Sequence, residues 1–164
     1  MYIACQNGHE GVVRLLLAHA ATDVNQAMTT DGCTPLNMAC DKGHEGVVRL
    51  LLAHAATDVN QARTTDGVTP LFMACVKGHD GVVRLLLEKG ADWTVGMRDN
   101  GWSPLFVASW AGKAAVVAEL LERQAADPAT ATTSEHLDIP AGSTALSVAE
   151  LKGHDDVAAL LRRP

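Results

Sequence analysis

The stretch TPLNMACDKGHEGVVRLLLAHAATDVNQA, residues 34–62, decides how the rest of the chain is read. Thr34 can accept a backbone N–H at a helix start, and Pro35 suits the first helical position, where an N–H would lack a partner anyway. Leu36, Met38, Ala39 and Cys40 continue that helix. Gly43 ends it, because glycine enters the left-handed conformation without a Cβ penalty. A second helix is predicted in EGVVRLLLAH, where Val47/Leu51 and Val48/Leu52 lie four residues apart on shared faces and Arg49 is the polar break. The turn formers that follow run to Asp66-Gly67, a hairpin-type tip.

The last twenty residues of that stretch also stand, unchanged, at 8–27. Looser copies extend the pattern. The Gly-His marker or its equivalent falls at Gly8, Gly43, Gly78, Gly112 and Gly153, in steps of 35, 35, 34 and 41 residues. A second marker keeps register with it: Thr34-Pro35-Leu36, Thr69-Pro70-Leu71, Ser103-Pro104-Leu105 and Thr144-Ala145-Leu146. Helices this short, below about 12–15 residues, are marginal in isolation. Each pair must therefore bury its Val/Leu face against a neighbour. The expectation is an all-α solenoid of stacked helix-turn-helix units.

Composition narrows the function. The 164 residues favour one domain, and 48% hydrophobic content with only 4% aromatics predicts a core of Leu, Val and Ala. Thirteen Lys and Arg against nineteen Asp and Glu give a formal charge of -6, so no phosphate-binding surface is concentrated and nucleic acid is not expected as a partner. Arg14, Arg49 and Arg84 interrupt every Val/Leu run well short of the roughly 20 apolar residues a membrane span needs. The opening MYIACQNGHE lacks a basic start and apolar core, so no secretory signal is read there. Cys5, Cys33, Cys40 and Cys75 form no CxxC spacing, and three of them share one phase. A repeated phase points to a small buried niche, and reduced thiols fit a cytoplasmic or nuclear setting.

DGCTPLNMACDKGHEGVVRLLLAHAATDVN, residues 31–60, and DGVTPLFMACVKGHDGVVRLLLEKGADWT, residues 66–94, resemble ankyrin repeats. The resemblance implies an ankyrin-repeat solenoid with finger loops, a single domain over 1–164. Its units are expected at 1–30 (incomplete), 31–65, 66–99, 100–141 with a long loop at 124–142, and 143–164 as a C-terminal cap. The first two intervals are about two residues longer than the common unit of roughly 33. Ala20 and Ala55 stand where Gly is usual, so altered loop geometry is expected. The Ala/Thr-rich insertion within 124–142 reads as a mobile spacer, with a contact loop as the other reading. Glu150, Lys152, Asp155 and Asp156 suit a cap whose outer face meets water. The first unit begins inside a repeat and leaves an apolar stacking face, which predicts a monomer with fraying of Met1–Ala20 or weak end-to-end association.

Three pairs, Cys5/His9, Cys40/His44 and Cys75/His79, have soft ligands four residues apart. Each pair straddles a helix-ending glycine and offers two ligands where a closed zinc site needs four, so no metal is expected. A catalytic Cys/His pair needs one activated nucleophile and an oxyanion site, and near-identical copies point to packing instead. Neither enzyme activity nor a cofactor is expected. For these histidines the resemblance implies a structural hydrogen bond. It also offers Asn25 and Asn60 as asparagine-hydroxylation sites, although a finger-closing hydrogen bond is the plainer reading.

The tryptophans break the repetition. Trp93 replaces the Val of the DVN motif and reads as structural. Trp102 shares the phase of Cys33, Val68 and Ser143, and Trp110 that of Gln6, Asp41, Val76 and Leu151. In ankyrin repeats both phases resemble the variable positions of the concave surface. Trp102 and Trp110 are therefore candidate anchors, with Val68, Val76, Lys77, Asp41 and Lys42 around them. The other reading has both rings filling a gap in altered packing. Such a surface suits a partner protein or peptide rather than a small-molecule substrate. Two other functions stay open: a structural spacer in a larger repeat protein, which the verbatim copy favours, and a thiol or metal sensor.

Overall fold

A computed structural model describes residues 1–123, 131–133 and 137–162 of the chain. Its unit is clearest where the sequence is clearest. Thr34 Oγ1 accepts the Asn37 amide at 3.1 Å while Asn37 Oδ1 accepts the Thr34 amide at 2.9 Å, a reciprocal cap on α3 (Pro35–Lys42). Gly43, at φ 72°, turns the chain in the left-handed conformation, and α4 (Glu45–Ala53) starts two residues later. The same hydroxyl cap opens α5 (Pro70–Lys77), α7 (Pro104–Trp110) and α9 (Ala145–Lys152). Each is followed by its second helix: α6 (Asp80–Glu88), α8 (Ala114–Glu122) and α10 (Asp155–Leu161). Ahead of them stand α1 (Tyr2–Gln6) and α2 (Glu10–Leu17). The described residues are all-helical and contain no strand element.

The first helices α1, α3, α5, α7 and α9 pack on one another in chain order, and α2, α4, α6, α8 and α10 form a second layer. One apolar core runs the length of the stack, with Leu36, Val48, Leu71, Leu86, Leu105 and Leu120 inside it. Polar bonds fix the register. Each hairpin finger closes on itself: Arg63 N donates to Val68 O at 2.9 Å, and Met97 N to Trp102 O at 3.0 Å. Neighbouring fingers are joined edge to edge, Thr64 N to Asp31 O at 3.0 Å and Arg98 N to Asp66 O at 3.0 Å.

Asn25 and Asn60 do not close fingers. Asn25 Nδ2 donates to Ala56 O at 2.5 Å and its Oδ1 accepts Asp58 N at 2.9 Å; Asn60 Oδ1 accepts Asp92 N at 2.7 Å. These side chains tie one unit to the next at the loop after the second helix, which corrects the within-unit bond expected from the sequence.

The insertion also departs from expectation. Thr132 and Ile139 are buried, and Thr132 N donates to Ser143 O at 2.9 Å while Thr133 N donates to Asn100 O at 3.1 Å. This part of 124–142 is a further finger bonded into the ladder, not a loose spacer. Residues 124–130 and 134–136 of the expected mobile loop lie outside the described residues.

The verbatim copy provides an internal control. Val12 and Val47 occupy the same place in identical twenty-residue sequences, yet Val12 is 48% exposed and Val47 is 0% exposed. The difference is the neighbour: α2 packs against α4, covering Val47, whereas nothing among the described residues covers Val12. Leu15, 75% exposed, and Ile3 lie open with it. Val47→Ala is expected to destabilise the chain by about 2 kcal/mol, from lost burial plus a cavity. Val12→Ala should shift stability by no more than about 0.5 kcal/mol. Urea unfolding of the two variants checks both figures, and amides of α2 should exchange faster than those of α4 despite the shared sequence.

Candidate functional site

The last turn of each first helix ends on one face of the stack, below the fingers. At the carbonyl there, three histidines from the following units act as rivets. His44 Nε2 donates to Gln6 O at 3.0 Å, His79 Nε2 to Asp41 O at 3.2 Å and His154 Nε2 to Trp110 O at 3.1 Å. Gln6, Asp41, Val76, Trp110 and Leu151 hold equivalent places on neighbouring helices, and the histidines pin the backbones of Gln6, Asp41 and Trp110 from behind.

Their side chains differ in accessibility. Val76 and Trp110 are half-buried, and Leu151 is 60% exposed. Asp41 meets Lys42 Nζ at 2.8 Å and, across the unit boundary, Lys77 Nζ at 3.3 Å. Partial burial alone would push the Asp41 carboxyl up, but the two ammonium groups outweigh it and hold the acid below its usual range. Lys42 and Lys77 are themselves exposed. Lys152 Nζ stands 5.9 Å above the Trp110 ring, a cation–π contact between the fourth and fifth helix pairs. The Trp110 indole N–H is enclosed without an acceptor among the described residues.

Two expected surface residues lie inside. Val68 is 4% exposed and Trp102 3%, so neither side chain is available to a partner, which corrects the anchor role expected of Trp102. The cause is the finger. The backbone carbonyl at this phase closes the hairpin, and the side chain turns beneath it into the core. Trp102 packs against Phe106 at 5.1 Å and Trp110 at 5.6 Å between ring centroids, so it supports Trp110 from below. The gap-filling reading fits Trp102. Trp93 is half-buried against the core, as a structural residue would be.

Leu151, which the sequence places in the phase of Trp110, is the most exposed of the apolar side chains at that phase.

The cysteines point into the stack. Cys40 and Cys75 are fully enclosed, and burial raises both thiols far above their ordinary range; the neighbouring Cys75 adds to the effect on Cys40. Burial pushes Cys5 up to about 11. Burial also raises Cys33, with Asp31 adding to it. The histidine of each Cys/His pair is turned to the preceding helix or to solvent. Among the described residues no three His, Cys, Asp or Glu side chains gather as metal ligands would.

A hydroxyl cap, a left-handed glycine, a histidine bond to the preceding helix and an edge-bonded finger recur along the stack. A family model described as ankyrin repeats (3 copies) matches residues 1–63 and 56–132. The chain belongs to the ankyrin-repeat family. The last helix pair, α9 and α10, lies beyond the matched residues but keeps the ankyrin cap, glycine and histidine bond. Ankyrin repeats are generally protein-interaction modules, and the family is typically non-catalytic. Comparison with curated proteins returned no match. Among the described residues no helix is long and apolar enough to cross a membrane.

The thiolate, not the thiol, reacts with disulfide reagents, so these raised thiols should be inert in the folded chain at neutral pH. Labelling with an aromatic disulfide is expected to be slow for Cys40 and Cys75 and complete at all four positions once urea unfolds the stack. Cys5, in the half-covered first pair, should be modified before them. Rapid native labelling of Cys40 or Cys75, followed by mass spectrometry, would contradict the packing described here.

Proposed function

We propose that the chain is a non-catalytic recognition module that holds a partner protein or peptide on its concave ankyrin surface. Trp110 is the aromatic anchor, flanked by Val76 and Leu151 and bordered by Asp41, Lys42 and Lys77. The supporting observation is the column Val76, Trp110 and Leu151: apolar, accessible to different degrees, and set at one repeated position on a scaffold that is otherwise uniform. Val68 and Trp102 serve it from beneath. The mechanism is preorganisation, since backbones pinned by histidine and finger bonds lose little freedom when a partner docks.

The spacer reading has one observation of its own. Residues 8–27 and 43–62 are identical, so these stretches of the first two units carry no specialised surface. Binding is accordingly centred on Trp110 in the later units, with Asp41 and Lys42 at its border, and the two readings separate experimentally. Affinity capture from native lysate with the wild type and a Trp110→Ala/Leu151→Ala variant is the test. The variant should lose at least about 2 kcal/mol of partner affinity, as central aromatic anchors do, with helicity unchanged by circular dichroism. Partner retained equally by both chains would reject this face, and no partner for either would favour the spacer.

A further inference from the structure

The recognition face carries a local charge opposite to that of the molecule. The chain has a formal charge of -6, yet the last turns of α3, α5 and α9 end in Lys42, Lys77 and Lys152. Asp41, half-buried, is the anion among them, and it is already matched by two of the three lysines. Glu150, two residues before Lys152, is occupied by Arg162 at 2.5 Å. On the finger side Arg63 and Asp66 pair with each other, and Arg98 Nη1 donates to Thr64 O at 3.1 Å. The strip therefore presents three ammonium groups against one carboxylate beside an apolar column.

Lysine at a helix C-terminus has an ordinary use, because it opposes the negative end of the helix dipole. That use does not account for the pattern. α1 and α7 end without a cation and are capped by Asn7 and Ala111, so the fold does not require lysine there. The position lacking lysine beside α7 is also the one where Trp110 stands, with Lys152 reaching 5.9 Å above it from the next unit. Cations flank the aromatic on both sides along the stack.

Resting on the recognition role proposed above, we infer that the occupant of this face is an acidic peptide segment carrying a bulky apolar residue. The apolar side chain meets Val76, Trp110 and Leu151, while flanking Asp or Glu carboxylates pair with Lys42, Lys77 and Lys152. Charge complementarity of this kind chiefly sets encounter rate and specificity, and the aromatic contact sets the lifetime.

The test is panning of a random 16-residue peptide library on the full chain, with binders re-measured on Trp110→Ala and on the triple variant Lys42→Gln/Lys77→Gln/Lys152→Gln. These lysines are exposed, so the triple variant should fold; circular dichroism and urea unfolding verify that it does. The expected binders are enriched in Asp and Glu around a Trp, Phe or Leu and need Trp110. Their affinity should fall about tenfold in the triple variant, as three exposed pairs allow, and should weaken as salt rises. Trp110-dependent binders that are neutral or basic would overturn the acidic assignment while leaving the recognition face standing. A library yielding no Trp110-dependent binder would overturn both.

Discussion

Burial by a neighbour is the interaction on which this molecule depends. A pair of helices of eight or nine residues has two faces to cover and can cover little of either by itself. Val47 is fully enclosed because α2 lies against α4; Val12, the same residue in the same twenty-residue sentence, stands half in water. The apolar interior is shared property, distributed along the stack. Stability therefore belongs to interfaces between pairs, and an end of the array differs from its middle without any change in sequence.

Apolar contact alone would let such pairs slide. Three sets of polar bonds hold the register: finger amides to the preceding finger's carbonyls, histidine Nε2 to the last turn of the preceding first helix, and Asn25 and Asn60 to the loop of the following unit. All three run between units. They direct backbone polar groups to partners that a single unit could not offer. The same bonds immobilise the surface the array presents, because Asp41 and Trp110 each carry a histidine rivet on the backbone carbonyl while their side chains face away.

A rigid repeated frame separates two tasks within one chain. The cysteines and the Val/Leu positions recur with little change and are spent on packing, and burial keeps the thiols protonated. The position at the end of each first helix is free to vary, and there the chain runs from Gln6 through Asp41 and Val76 to Trp110 and Leu151. The identical stretches at 8–27 and 43–62 do the structural work, while chemical individuality collects in the later units.

The sequence by itself determined the architecture. Thr-Pro caps, helix-ending glycines, the four-residue spacing of Val and Leu and the near-constant period each encode local geometry, and local geometry repeated is enough to specify a stack. It did not determine which residues of a shared phase face outward. Cys33, Val68 and Trp102 read as surface by phase, but the finger folds over them, and Trp102 ends between Phe106 and Trp110. Ile139 drew part of an apparent linker into the core. Asn25 and Asn60 reached across to the next unit instead of within their own. Each of these outcomes rests on contacts between residues about one period or more apart, or on a finger closing over its own base. Exposure is a property of what lies opposite a side chain, and only the assembled stack decides what that is.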